Sequence, residues 1–341
     1  MKEKIKVHYV RRVYGPGGGK ISGDIFEKLL ANYVDLVDLN EAQVVHNYDG
    51  PLKIFRKPSV FVVNSWKFTC PACIQTTTYD EKICLNGSLF KCMKCYAYNK
   101  NFETKSKQEV MRFASSLYYA KNRYRLFKLK KQENIISISG ALKKVLEENN
   151  VKVTRVIYDP LDPILLQKTK KAINEKFFFH HGNLDWIHGV SLLIDSRNYI
   201  KYPLKIVGWG AYSNKIKRTD IDYLGVINDT IKIKEIINDS YAYIYPCLHN
   251  NFGRSLIEAM ALAKPIIAIN RGFSREIIQN WKNGILINPN SRELVDAMQY
   301  LWDNEKEAKK LGMNARKTAI EKFHPDVTFS QYIKLYESLI F

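Results

Sequence analysis

Short β-rich runs and helix-patterned segments alternate along the whole of this 341-residue chain. KIKVHYV, AQVVHNY, PSVFVVN, NIISISG and VTRVIYD read as strands in the first half, with helices at DIFEKLLANY and ALKKVLEENN. KFFFHHG, LKIVGWG, IDYLGVI, YAYIYPC, PIIAIN and GILINP read as strands in the second half. Strands that alternate with helices pair in parallel, because a parallel pair needs a long crossover and a helix supplies it. Asp159-Pro160 and Asp162-Pro163 break the rhythm and read as a linker. The expected organisation is α/β: two Rossmann-like, doubly wound domains over 1–158 and 166–322, joined at 159–165. Residues 323–341 form a final helix expected to pack back toward the first domain. Ligands are expected at the carboxyl ends of the strands, in a cleft.

No run of eighteen apolar residues marks a membrane span, and the charged start MKEKIKVHYVRRVYG does not suit a signal peptide. A cytoplasmic protein is expected. The formal net charge is +19, and residues 51–131 carry 17 Lys/Arg against 4 Asp/Glu. In AKNRYRLFKLKKQ, Ala120 to Gln132, cations interleave with Tyr, Leu and Phe. Such a surface attracts polyanions, with an anionic membrane preferred over nucleic acid; a merely solvated basic face is the alternative.

Five of the six cysteines, Cys70, Cys73, Cys84, Cys92 and Cys95, fall in one window, 66–100, that reads as an insertion. Two C-x-x-C pairs, Cys70/Cys73 and Cys92/Cys95, match the spacing of a structural zinc site. Cys84 is an alternative fourth ligand, and zinc is preferred over an iron–sulfur cluster. Cys247 stands apart and reads as a core residue.

Two segments suit an anion. Gly17, Gly18 and Gly19 lie between the first strand and helix, where backbone can approach phosphate closely. In LHNNFGRSLIEAMALAKP, Gly253 precedes a helix whose N-terminal N–H groups are free for a phosphate, and Glu258 follows as a lone carboxylate suited to hydroxyl groups.

From that stretch onward, NNFGRSLIEAMALAKPIIAINRGFSREIIQNWKNGILINP resembles the donor-binding signature of family-4 retaining glycosyltransferases (glycosyl transferases group 1), enzymes of the two-domain GT-B fold. IISISGALKKVLEENNVKVTRVIYDPLDP, HHGNLDWIHGVSLLIDS, LKIVGWG and YLGVI are similar to that family in the same order, and NSWKFTCPACIQ…CMKC resembles a Cys-bearing loop of some members. The resemblance implies transfer of a sugar from a UDP- or GDP-sugar to an acceptor hydroxyl, with no metal needed for catalysis. It places the diphosphate on the backbone N–H groups of Ser255 and Leu256, near Phe252 and Gly253, with Arg254 as its charge partner. It places the ribose hydroxyls on Glu258. The acceptor, expected to be lipid-linked, a glycan or a protein, falls near Asn64; His46 is a candidate neighbour, with a structural histidine at the strand end as the preferred reading.

Departures from the family pattern cluster at the same positions. Where the family carries the first glutamate of an E-x7-E pair, this chain has Asn250. Where it carries Arg and Lys on the diphosphate, this chain has Asn183 and His188; where it carries His-Asp, this chain has Asn64-Ser65. Asn250, Arg254 and Glu258 are the candidate catalytic residues.

Overall fold

The computed structural model describes residues 3–11, 18–71, 84–97, 105–167 and 175–341. Gly17 and Cys73 therefore lie outside the described residues. The chain divides into two compact units, Met1–Pro160 with Phe323–Phe341, and Leu161–Lys322.

The first unit holds a parallel sheet of β1 (Lys6–Arg11), β2 (Asp35–Leu36), β3 (Val44–Tyr48), β4 (Ser59–Val63), β5 (Ile135–Ser137) and β6 (Arg155–Val156). Their order across the sheet is β2-β1-β3-β4-β5-β6. β3 and β5 are buried along their whole length, and β4 along all but its first residue. Central parallel strands are covered on both faces, which is why Val, Ile, Phe and Tyr run through them without polar alternation. The helix Gly18–Leu30 follows β1 and begins earlier than the expected DIFEKLLANY, taking Gly18 and Gly19 into its first turn. The C-terminal helix Pro325–Ile340 belongs to this unit. His324 caps it by accepting from Asp326 N, and Pro325 opens it where a missing N–H costs nothing. Its Phe329 and Tyr332 rings pack on Phe26, at 5.2 and 5.4 Å between centroids.

The second unit holds β7 (Phe178–Asn183), β8 (Leu204–Trp209), β9 (Asp222–Tyr223), β10 (Ala242–Tyr245), β11 (Ile266–Ile269) and β12 (Ile285–Ile287). This sheet is also parallel, in the order β12-β11-β10-β7-β8-β9. β7 therefore lies between β10 and β8, and the chain winds outward in opposite directions from it. A reversal of this kind opens a crevice at the carboxyl ends of the two central strands. Here those ends carry His181, Gly182 and Asn183 on β7, and Tyr243 and Tyr245 on β10. Gly189, at φ +72°, lets the turn after β7 pass the loop after β10: a Cβ there would stand 1.8 Å from the Pro246 carbonyl oxygen.

Candidate active site

The helix Arg254–Ala261 starts just beyond β10, at the crevice of the second unit. Its N-cap is Gly253, which offers no side-chain cap, and its first turn holds no acidic residue. The partial positive charge of a helix N-terminus is thus left for a ligand to answer. Glycine is required at the cap for space as well: a Cβ would lie 2.9 Å from Tyr245 Oη and 3.1 Å from Phe273 Cδ1. Phe252 and Phe273 pack at 4.9 Å between centroids, closing the floor beneath this turn. Leu256 is fully buried, whereas Ser255 is half-buried. The terminal nitrogens of Arg254 are shut off from bulk solvent.

Glu258 lies one turn further in. Its Oε2 is 3.1 Å from His181 Nε2, and the two side chains are 15% and 12% exposed, enough for a ligand to reach and too little for water to screen them fully. Tyr243 fixes the other side of the imidazole, with Oη 3.1 Å from His181 Nδ1 and donating to the His181 carbonyl at 3.1 Å. Tyr243 is completely buried; desolvation raises its pKa, against hydrogen bonds that include one with Ser255. One phenol therefore joins the residue that holds the carboxylate to the first turn of the helix. His181 is absent from the sequence-derived site. The visible signal was its place at the end of a buried strand in HHG, directly before the loop that supplies Asn183.

Asn250 stands at the mouth of the same turn and is already engaged. Its Nδ2 donates to Tyr245 Oη at 2.8 Å, and its Oδ1 accepts from Phe252 N at 3.3 Å, an Asx-type turn that shapes the approach to Gly253. Gly272, at φ +51°, brings the chain after β11 against this loop, so close that a Cβ would lie 2.8 Å from His249 Nδ1. Asn183 is exposed at the end of β7. His188 ends the short turn Trp186–His188, with Nδ1 enclosed and without a hydrogen-bond partner. Burial pulls its pKa below the ordinary histidine value, with Asp185 opposing. Burial therefore disfavours a cationic His188.

In the first unit, Asn64 donates from Nδ2 to Tyr48 Oη at 2.9 Å, and Tyr48 donates to Asp159 Oδ2 at 2.5 Å. Beneath Asn64 and Ser65 lies a carboxylate that the sequence did not single out. Asp49 is fully buried, adopts φ +51°, and accepts from Ser65 Oγ at 3.1 Å. Lys67 Nζ lies 2.7 Å from its carboxylate and donates to its carbonyl at 2.6 Å. A buried ion pair with added hydrogen bonds is costly to break from one side. The Asp-Gly pair ending a strand in NYDG was the available cue. Of the two readings of His46, acceptor neighbour and structural histidine, the structure has the second: its ring is 0% exposed and its Nδ1 lies 2.6 Å from Tyr336 Oη on the C-terminal helix. Burial lowers its pKa to about 3, so it stays neutral and has no surface to offer a ligand.

Cys70, Cys84 and Cys95 are half-buried. Cys92 is buried and its thiol is pushed up to about 12, by burial first and then by Cys70, Cys84 and Cys95 nearby. Among the described residues no group of three or more His, Cys, Asp or Glu side chains is arranged to hold a metal ion, and Cys73 lies outside them. Cys247 is buried beneath the candidate site, with its sulfur 3.5 Å from the Ile187 carbonyl oxygen.

Residues 163–318 match the model of the glycosyl transferases group 1 family. O-antigen chain mannosyltransferase C of Escherichia coli is 28% identical over 182 residues, which is 50% of this chain and 49% of that protein. A D-rhamnosyltransferase of Pseudomonas aeruginosa is 27% identical over 201 residues, 53% of this chain and 51% of that protein. The chain thus spans about half the length of these curated relatives. Among solved structures, Anabaena HepE in complex with UDP-glucose superposes with a TM-score of 0.64 at 16% identity, covering 98% of this chain and 99% of that one. Sucrose-phosphate synthase from Thermosynechococcus elongatus gives 0.62 at 17% identity, covering 94% and 78%. The two parallel six-stranded sheets are those of the GT-B fold, and the match to the glycosyl transferases group 1 model falls on the second unit.

Proposed function

We propose that this chain is a retaining glycosyltransferase, moving a sugar from a nucleoside-diphosphate sugar to an acceptor hydroxyl. The observation that carries the reading is the helix N-terminus left open beside a held carboxylate. Gly253 caps the helix without a side chain, and Glu258, fixed by His181, lies one turn away. Anion and polyol are the two halves of a nucleoside diphosphate. In this reading the backbone N–H groups of Ser255 and Leu256 take the diphosphate, Arg254 adds charge, and Glu258 accepts hydrogen bonds from the ribose.

Charge develops on the leaving diphosphate as the sugar–oxygen bond breaks. The helix N-terminus and Arg254 stabilise it without reorganising, the usual basis of this kind of catalysis. The acceptor oxygen bonds to the anomeric carbon on the face the diphosphate leaves, and a donor phosphate oxygen takes its proton, so retention needs no carboxylate nucleophile and the reaction proceeds without a catalytic metal. Asn250, already held by Tyr245, presents an amide to the donor sugar in place of a charge. UDP and UDP-glucose bound to Anabaena HepE make uridine nucleotides the first donors to try, with GDP-sugars next. The acceptor, lipid-linked, glycan or protein, is assigned to the Asn64 side of the first unit, and the protein to the cytoplasm, peripheral at the membrane. A structural zinc on Cys70, Cys73, Cys92 and Cys95, with Cys84 as the alternative ligand, is proposed for the insertion. Metal analysis of the purified protein finding far less than one zinc per chain rejects it.

A second reading is a sugar-nucleotide-binding relative without turnover. The engaged amide of Asn250 and the desolvated His188 favour it, because both lower the charge available to the transition state. A panel of UDP- and GDP-sugars separates the two. Transfer or donor hydrolysis abolished by Glu258→Ala supports the enzyme; nucleotide binding without turnover supports the second reading; neither binding nor turnover rejects both.

A further inference from the structure

The long helix Lys105–Leu129 of the first unit presents an unusual outer face. Its inner face, Asn122, Leu126 and Leu129, is buried, and Asn122 Nδ2 donates to the Lys67 carbonyl at 2.7 Å, tying the helix to the unit. On the opposite side Leu117, Lys121, Tyr124 and Lys128 recur at steps of four, three and four, so they form one stripe, and Lys131 follows in the turn just past the helix end. Phe127 flanks it. Leu117 is 72% exposed, Tyr124 57% and Phe127 55%. Lys128 Nζ lies 5.1 Å from the centre of the Tyr124 ring, and Lys131 Nζ 4.4 Å from that of Phe127. Between Ser116 and Gln132 there are six Lys/Arg and no Asp/Glu.

We propose that this helix face docks the protein on an anionic lipid bilayer, lying in the plane of the surface. Apolar and aromatic side chains carry the helix into the headgroup boundary, and the lysines, whose long stems lie along the rings, keep their ammonium groups at the lipid phosphates. Charge complementarity selects an anionic leaflet, because no carboxylate on this stretch opposes it. An aliphatic Leu117 at the start of the stripe serves insertion and has no part in phosphate contact or base stacking, which favours lipid over nucleic acid. No helix of the described residues is long and apolar enough to cross a membrane, so the contact is in-plane. The surface rests on the membrane location proposed above, and flotation is read without turnover, so its failure leaves the transferase reading standing.

Flotation of the full chain with vesicles of phosphatidylcholine, alone or mixed with phosphatidylglycerol, tests it. Expected is co-flotation with the anionic vesicles and at least about tenfold less with the neutral ones. Lys128→Glu with Lys131→Glu, and separately Leu117→Ser with Phe127→Ser, should each reduce it about tenfold while leaving the thermal transition and nucleotide binding unchanged. Equal flotation with both lipids, wild-type flotation by both variants, or salt-sensitive RNA binding without flotation overturns the proposal.

Discussion

His181 Nε2 lies 3.1 Å from Glu258 Oε2, and Tyr243 Oη holds the far side of the same imidazole at 3.1 Å. A carboxylate one turn into a helix is free to choose among rotamers; this one is fixed by a ring from the neighbouring strand. If Glu258 is to meet two ribose hydroxyls, that fixation removes an ordering cost at binding.

Replacing His181 with Phe should therefore weaken UDP binding about tenfold or more, the scale of one hydrogen bond to a charged group. A weaker discrimination between UDP and 2′-deoxy-UDP in isothermal titration identifies the ribose as the affected part. Unchanged affinity for both rejects the role of His181.

Asn250→Ala removes the donor to Tyr245 Oη, a phenol that is buried. The expected loss is about 1 to 2 kcal/mol of stability, since the phenol loses a partner and the turn before Gly253 loses its Asx contact. Denaturant unfolding measures it. A loss of turnover with no loss of stability would show that the amide serves the substrate alone.

The buried pair in the first unit gives an asymmetric expectation. Lys67→Met leaves Asp49 as an unpaired buried carboxylate and should cost about 3 to 5 kcal/mol. Combining it with Asp49→Asn should recover most of that, because the desolvated charge is gone. Urea midpoints of the two single variants and the double variant decide the matter; additive losses contradict it.

Acid should destabilise the fold through histidines buried in their neutral form. Burial lowers the pKa of His46 and His180 to about 3 and of His249 to about 4, the last two helped by His181 and Arg271 respectively. In the unfolded chain each titrates near its ordinary value of about 6.5. Their contribution is complete above that pH and is lost as pH falls toward 4 and 3, because the unfolded state binds the additional protons. The slope per histidine approaches about 1.4 kcal/mol per pH unit. His46→Phe should flatten the stability profile between pH 6 and 4, roughly by one such contribution, in urea titrations at each pH.

The alternation of strands and helices was legible because central parallel strands are buried on both faces and therefore read as continuous apolar runs. β2 was not, since Asp35–Leu36 is two exposed residues at a sheet edge with no pattern to detect. The start of the first helix was misplaced because glycine disfavours helix interiors, yet Gly18 and Gly19 sit in a first turn where that cost is small. Glu258 and Gly253 stood out because the spacing between a strand end, a glycine and a helix is local. His181 and Asp49 did not, because what makes them notable arrives from elsewhere: Glu258 lies 77 residues from His181, and Lys67 lies 18 from Asp49. His46 shows the converse. Its strand-end position left both a structural role and a ligand contact open, and Tyr336, 290 residues away, closes over it.

The central claim is that the turn at Gly253 and the carboxylate of Glu258 together hold a nucleoside diphosphate. Isothermal titration of UDP and GDP into the wild type and into Glu258→Gln tests it most directly. The wild type should bind at least one of them, and Glu258→Gln should weaken that binding about tenfold or more while inorganic pyrophosphate binding is unchanged. Wild-type protein that binds neither nucleotide, or a Glu258→Gln variant that binds as the wild type does, would contradict it.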